Sequence, residues 1–450
     1  MRTSIQICIL SLVALIIGVA APRVNAQCLG DVIPSGIIDG VDLAQTLSSW
    51  GPCTNCPADI DGDGVVTGID LGQLLAGWGP CAPFIASVAP SQGTIVGGTP
   101  ITISGAYFTG ATSVTIGGSP AINMVVVSST TITAVTPTGT LGPAGVVVTT
   151  PAGTLTSLNG FTYISIVVPT WATLLEATPN PTVVTDANLR AAIVASGFAW
   201  RVRDNAANIE MLLVPGGTFM MGCSASNLYA CSSIESPTHQ VTLTNAFYMG
   251  RYEVTQAQWQ AKMGSNPSSF QGASYPDAAN RPVEQVSWNM IASGSTSFMY
   301  LTGLRLPTEA EWEYAYRAGT TTAFHSYPAQ PNGFNNDTLL GNIAWYSGNN
   351  GASGSSTYGT KAVGGKLANG LGLHDMAGNV YEWCQDWYSS TYYASSPLTN
   401  PTGPTTGSSR LLRGGNWGFS SSGCRASGRG DGGTPDYVNI YGGFRVARTP

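Results

Sequence analysis

A run of alternating carboxylates is the first feature of this 450-residue chain that could do chemistry: Asp59-Ile60-Asp61-Gly62-Asp63-Gly64-Val65-Val66-Thr67-Gly68-Ile69-Asp70. Acids stand at positions 1, 3 and 5, glycine at 6 and an acid again at 12. That is the grammar of a calcium loop. Calcium takes six to eight oxygen ligands, and alternate residues of a tight loop point inward to supply them. The expected ligands are Asp59, Asp61, Asp63, Val65, Thr67 and Asp70. Cysteine is the second feature. Cys8 lies in an apolar leader, and Cys28, Cys53, Cys56, Cys81, Cys223, Cys231, Cys384 and Cys424 follow it. An even number in an oxidising compartment points to disulfides. The three histidines, His239, His325 and His374, lack metal-ligand spacing. The chain has no nucleophile–base motif, phosphate loop or HExxH string.

The carboxylate run belongs to a repeat. Asp42-Leu43-Ala44-Gln45 and Trp50-Gly51-Pro52-Cys53 return 28 residues later as Asp70-Leu71-Gly72-Gln73 and Trp78-Gly79-Pro80-Cys81. Cys28 maps onto Cys56, so each unit opens and closes with a cysteine. The expected bridges are therefore Cys28–Cys53 and Cys56–Cys81. Leu71, Leu74, Leu75 and Trp78 have helical spacing. A loop followed by one helix, twice over, resembles a dockerin module. That resemblance implies docking onto a partner module or the cell surface. In the first unit Asp31, Asp39 and Asp42 persist, but Ile33 and Ser35 replace the inner acids. Calcium is expected in the second loop.

The elements around these residues are those of an exported protein. Eighteen basic and 24 acidic residues give a net charge of −6, with no basic patch, so nucleic acid is excluded as a partner. Only 9% of residues are charged, while glycine numbers 56 and proline 28, which suits a β- and loop-rich extracellular chain. Arg2, the apolar run Ile5–Ala21 and Val24-Asn25-Ala26 read as a signal peptide over 1–26, the alternative being an uncleaved anchor. No later segment reaches ~18 consecutive apolar residues, so no membrane span is expected after cleavage. The expected localisation is secreted or cell-surface.

Residues 27–82 hold the repeats. From 83 to 165, short Val/Ile/Thr-rich stretches alternate with Gly and Pro: Thr99–Ser104, Ser113–Ile116, Met124–Val127, Thr131–Val135 and Gly145–Thr150. They predict an all-β sandwich. Gly97-Gly98-Thr99, Ile103-Ser104-Gly105-Ala106-Tyr107-Phe108 and the closing Gly160-Phe161-Thr162-Tyr163 resemble the immunoglobulin-like IPT/TIG family. This implies a spacer or binding module. Residues 166–206 read as a linker with a short helix at Leu189–Val194.

Residues 207–450 carry dense motifs. Val214-Pro215-Gly216-Gly217-Thr218-Phe219-Met220-Met221-Gly222 is followed by Tyr252-Glu253-Val254-Thr255 and Arg281-Pro282-Val283-Glu284-Gln285-Val286-Ser287-Trp288. Then come Arg305-Leu306-Pro307-Thr308-Glu309-Ala310-Glu311-Trp312-Glu313-Tyr314-Ala315, Gly378-Asn379-Val380-Tyr381-Glu382-Trp383, Arg413-Gly414-Gly415-Asn416-Trp417 and Gly442-Gly443-Phe444-Arg445. Thr308 with Glu311 predicts a capping box, hence a helix start. A fold poor in regular structure must satisfy its backbone with side chains, a structural role expected for Arg305, Glu309, Glu313, Asn379 and Arg445.

These strings resemble the formylglycine-generating enzyme and sulfatase-modifying factor family. The resemblance implies an irregular α+β domain of the C-type-lectin-like kind. The whole chain is then multidomain: a small α calcium-loop module, an immunoglobulin-like sandwich and this domain. The family's calcium site maps onto Asp375, Gly378, Val380 and Glu382. A second family site would begin at Asn342 and Ile343, but its later carboxylate is missing from Ser347–Thr360. Active members bind copper(I) with two cysteines after the Arg-Gly-Gly string, because soft thiolates select that ion. Here Phe419 and Cys424, five residues apart, hold those positions. One thiol cannot form the pair, so copper and catalytic residues are not expected. The resemblance further implies a Cys384–Cys424 bridge, with Cys223–Cys231 as a local one. The expected function is binding of a protein or glycan ligand. The alternative is a copper-dependent oxidase converting sulfatase cysteines to formylglycine.

Overall fold

The computed structural model describes residues 28–223, 230–355 and 357–450. The leader expected over 1–26 lies outside them.

In the first module the sequence repeat becomes a structural one. Helices Gly40–Ser48 and Gly68–Ala76 start at Asp39 and Thr67, and each is closed by a capping box, through Asp42 and Asp70. The short strands cross between units: Ile37–Ile38 pairs with Gly79–Pro80, and Val65–Val66 with Gly51–Pro52. The Cys81 N–H donates to the Gly36 carbonyl (2.9 Å), and the Cys53 N–H to the Gly64 carbonyl (2.8 Å). This exchange corrects the expected bridges. The disulfides are Cys28–Cys81 and Cys53–Cys56, with Cα separations of 5.6 and 5.8 Å. The expectation treated each unit as self-closed. In fact each unit's closing segment lies against the other unit's loop, so the opening cysteine of one meets the closing cysteine of the other. Of the apolar helical stripe, Leu74 is buried while Leu75 and Trp78 stay exposed.

The second module is a sandwich of two sheets. One orders as Ile122–Ser128, Thr131–Val135, Pro100–Ala106 and Phe84–Ala89. The other orders as Gln92–Thr94, Gly153–Ile164, Gly142–Thr150, Ser113–Ile116 and Ser119–Pro120. All five expected strands are present. Gly153–Ile164 was not foreseen, because its Gly, Ser and Asn content masks the alternation that puts Phe161 and Tyr163 into the core. Alternate residues Ile101, Ile103, Ile132, Ala134, Val146 and Val148 fill the space between the sheets.

Residues 166–206, read as a linker, do more than connect. The helix is there, at Ala187–Ala195. Strands Ala172–Glu176 and Arg201–Asp204 also form the edge of a sheet continuing through Glu210–Val214, Phe247–Gly250 and Ala447–Arg448. Val184, Ile193, Trp200 and Val202 join the core of the C-terminal domain. That domain is otherwise loop-rich, around helix Glu309–Arg317 and a sheet ordered Arg429–Asp431, Arg410–Arg413, Tyr381–Trp387 and Gly442–Gly443. The expected capping box of Thr308 and Glu311 starts the helix.

Candidate functional site

Three places could hold a ligand or ion: the position of the family's cysteine pair, the buried carboxylates near Glu382, and the acidic loop of the first module.

Phe419 follows the Arg413-Gly414-Gly415 turn, in which both glycines have positive φ (+95° and +74°). Its ring is 49% exposed and edge-on to Tyr381 (5.8 Å) and Tyr441 (5.6 Å). Tyr441 leans on Trp417 (4.9 Å), which meets Tyr358 (4.8 Å) and Phe270 (5.3 Å). Aromatic packing thus surrounds the first cysteine position. At the second, Cys424 is buried, and a side chain on Gly415 would meet its Sγ at 2.8 Å. Burial pushes its thiol up to about 12. A protonated, enclosed thiol without a second one does not fit copper(I).

The expected Cys384–Cys424 bridge is not formed, and both cysteines are free. They face different surroundings. Cys384, in strand Tyr381–Trp387, turns its thiol toward the Glu382 carbonyl (3.9 Å). Burial and the Asp386 carboxylate raise it well above the usual thiol range. Cys424 lies among tyrosines instead, its carbonyl accepting from the Tyr316 hydroxyl (2.7 Å). The local Cys223–Cys231 bridge is present.

The carboxylate cluster has a member that the sequence reading missed. Asp375, held at φ +55°, accepts from the Gly364 N–H through Oδ2 (2.6 Å), while its buried Oδ1 has no partner. Glu382 is already committed: Arg445 grips both its oxygens (2.6 Å each), and Trp312 Nε1 donates to Oε2 (2.7 Å). Glu253 is the addition. It accepts from Asn379 Nδ2 (2.6 Å) and the Val380 N–H (3.1 Å). Burial, then the charges of Asp375 and Glu382, push Glu253 well above the usual carboxylate range. Three buried carboxylates thus share the Arg445 guanidinium, with the Lys366 ammonium acting on Asp375 from farther away. The charge excess and the unpartnered Asp375 oxygen fit a hard cation near Gly378 and Val380; the Arg445 grip on Glu382 argues against that residue as a ligand. Glu253 was visible only as the acid of Tyr252-Glu253-Val254-Thr255, with no spacing to tie it to Asp375.

The second family calcium position already holds cations of the protein's own. Lys366 Nζ donates to the Gly341 carbonyl and lies 3.8 Å from the centre of the Trp345 ring. Lys361 Nζ donates to Asn350 Oδ1 (2.7 Å) and the Gly359 carbonyl (2.6 Å), 5.6 Å from the same ring. Burial lowers Lys361 to about 8. A divalent ion does not fit beside two ammonium groups in a stretch without carboxylates.

In the first module, Asp59, Asp61 and Asp63 each bring a carboxylate oxygen to within 4.8 Å of the others. Asp59 accepts from the N–H groups of Gly62 and Gly64 (2.9 Å each), which shapes the loop. The Asp63 N–H lowers Asp61, but desolvation and the charges of Asp63, Asp70 and Asp59 outweigh it, so the net shift is upward. The triad fits a calcium ion. Asp70 stands apart, spending Oδ1 on the Ile60 N–H (2.7 Å) and Oδ2 on the Thr67 N–H (2.8 Å). Val65 pairs in a strand and Thr67 caps the helix. The histidines behave structurally: His325 is wholly buried and lowered by burial to about 4, and His374 lies against Tyr252.

Loop-rich packing around a capped helix, with arginine–carboxylate pairs in place of ladders, defines a β-rich domain of the C-type-lectin-like kind. Residues 199–450 match the sulfatase-modifying factor enzyme 1-like domain, and the chain belongs to that family. Residues 83–163 match the IPT/TIG domain. The chain is 32% identical over 314 residues to a formylglycine-generating enzyme of Streptomyces coelicolor, covering 57% of this chain and 94% of that one. It is 33% identical over 226 residues to chaperone protein LppX of Paenibacillus barcinonensis, covering 40% and 72%. Among solved structures, Treponema denticola variable protein 1 aligns with 30% identity and a TM-score of 0.45, over 54% of this chain and 95% of that one. No helix among the described residues is long and apolar enough to cross a membrane.

Proposed function

We propose that this is a secreted or surface-attached protein whose C-terminal domain recognises a ligand and does not carry out cysteine oxidation. One observation carries the reading. Where active relatives present the first of two thiols, this chain presents the half-exposed ring of Phe419, and the remaining thiol, Cys424, is enclosed. The test is to incubate the exported chain with copper(I), oxygen and a Cys-x-Pro-x-Arg peptide, and read the products by mass spectrometry. The expected result is unchanged peptide. Formylglycine that disappears with Cys424→Ser would overturn the proposal.

The first module is, in the same reading, a dockerin-like unit that attaches the chain to a partner module or cell surface, with calcium in the Asp59–Asp63 loop. The clustered carboxylates support this. Terbium luminescence, displaced by calcium and lost in Asp59→Asn/Asp61→Asn, is the expected signature. Equal luminescence in the double variant would remove calcium from this loop. The Glu253–Asp375 cluster is the second candidate for calcium. Its partners would be Asp375 and the Gly378 and Val380 carbonyls, with Glu382 left to Arg445.

A further inference from the structure

Phe419, Tyr441 and Tyr381 form a surface whose chemistry points to a class of ligand. Resting on the proposal that this domain binds and does not oxidise, we infer that these rings are a stacking platform for a neutral saccharide.

Shape and exposure suit a stacking ligand. The half-exposed Phe419 packs edge-to-face against Tyr381 and Tyr441. Tyr441 rests in turn on the buried Trp417, whose indole N–H donates to the Ile440 carbonyl (3.1 Å). The exposed ring therefore stands on a fixed base, and little side-chain freedom is lost when a ligand covers it. Phe419 is also fixed by its backbone, its carbonyl accepting from the Ser347 N–H (3.0 Å).

The rim is polar. Ser420, Ser421 and Ser422 follow the ring directly, and the Oγ atoms of Ser420 and Ser422 lie 2.8 Å apart. Ser421 Oγ donates to the Asp337 carboxylate (3.0 Å). The Tyr381 hydroxyl lies over Gly423, 3.2 Å from where a side chain there would begin. Three residues before the ring, the carboxamide of Asn416 is wholly buried. Its Oδ1 accepts from the Gly418 N–H (2.8 Å), and its Nδ2 is a donor with no partner. Among the described residues, no guanidinium or ammonium stands over these three rings.

The combination selects the occupant. The guanidinium nearest the rim, Arg425, donates to the Ser422 carbonyl (2.8 Å) but is buried and paired with Glu235, so the surface offers an anionic ligand no exposed cation. A sugar ring presents a face of C–H bonds, which the electron-rich face of an aromatic ring attracts, and an equator of hydroxyls. Serine hydroxyls, a tyrosine hydroxyl and one carboxylate match that equator as mixed donors and acceptors.

The test titrates the full exported chain with cellohexaose, xylohexaose and mannohexaose, and in parallel with the Cys-x-Pro-x-Arg peptide, following tryptophan fluorescence and heat. At least one sugar is expected to bind with a dissociation constant between about 10 μM and about 1 mM. Phe419→Ala should weaken it at least about tenfold, the loss of roughly one stacking contact. Phe419→Trp should restore it. Phe419 is half-exposed, so both variants are expected to melt like the parent. No binding of any of the three sugars up to ~10 mM, or binding indifferent to Phe419→Ala, overturns the inference. Peptide binding in place of sugar overturns it too, but leaves the domain a binder. Formylglycine formation overturns both.

Discussion

The β-sandwich and the C-terminal domain solve one problem in opposite ways. Between the sheets of the sandwich the buried side chains are apolar, and its buried polar residues are threonines such as Thr99 and Thr136. Its backbone is satisfied by strand ladders, so its core has no need of charge. The C-terminal domain buries Glu235, Glu309, Glu313, Glu382, Arg413, Arg425, Arg429 and Arg445. Arg413 donates to the Gly428 and Ala426 carbonyls while pairing with Glu313, and Arg429 donates to the Ile234 and Ser389 carbonyls while pairing with Glu309. Guanidinium groups do here what neighbouring strands do in the sandwich. A backbone without ladders can be buried only if side chains donate to its carbonyls and accept from its N–H groups.

Substitution should expose the contrast. Arg425→Met leaves Glu235 buried without its guanidinium and should cost about 3–5 kcal/mol in chemical denaturation. The double variant Arg425→Met/Glu235→Leu should recover much of that, since no charge is then stranded; a double variant as unstable as the single one would mean that the Arg425 contact to the Ser422 carbonyl (2.8 Å) carries the effect. Ile103→Ala in the sandwich should cost about 2–5 kcal/mol by leaving a cavity, with no dependence on pH. Glu284 tests the charged core in a third way. Its Oε1 accepts from the Phe270 N–H (3.0 Å), its Oε2 has no partner, and burial raises it to about 7. The folded state thus prefers the neutral acid. The penalty is absent below the ordinary carboxylate range and grows as pH rises from there through about 7. Glu284→Gln should therefore raise the melting temperature at pH ~8, by on the order of 2 kcal/mol of stability, and change little at pH ~4. Equal gains at both pH values would show that ionisation of the buried carboxyl is not their source. The smallest effect is expected at the shorter of the two bridges in the repeats. Removing Cys53–Cys56 should cost about 1–2 kcal/mol against about 4 for Cys28–Cys81, because loop-closure entropy grows with the span between the cysteines.

Legibility differed among the modules for reasons visible in particular residues. The helix at Glu309–Arg317 was readable from Thr308 and Glu311 because a capping box is a contact between residues three apart. Strands Ser113–Ile116 and Thr131–Val135 were readable because β-branched alternation is local too. Strands Ala172–Glu176 and Arg201–Asp204 were not, since their place in the sheet depends on Glu210–Val214 and Phe247–Gly250. The acidic triad was legible because one tight loop holds it. Glu253 was not, being 122 residues from Asp375 in a cluster assembled across the domain.

The sequence by itself determined the repeats, the capped helices, the sandwich pattern and the replacement of a cysteine by Phe419, because each is written in neighbouring residues or a fixed period. The tertiary structure alone decided which cysteines pair, which carboxylates meet and what surrounds Phe419. Those depend on how loops cross: the exchanged strands put Cys28 beside Cys81, and the turn at Gly414–Gly415 packs against Cys424, which stays unbridged.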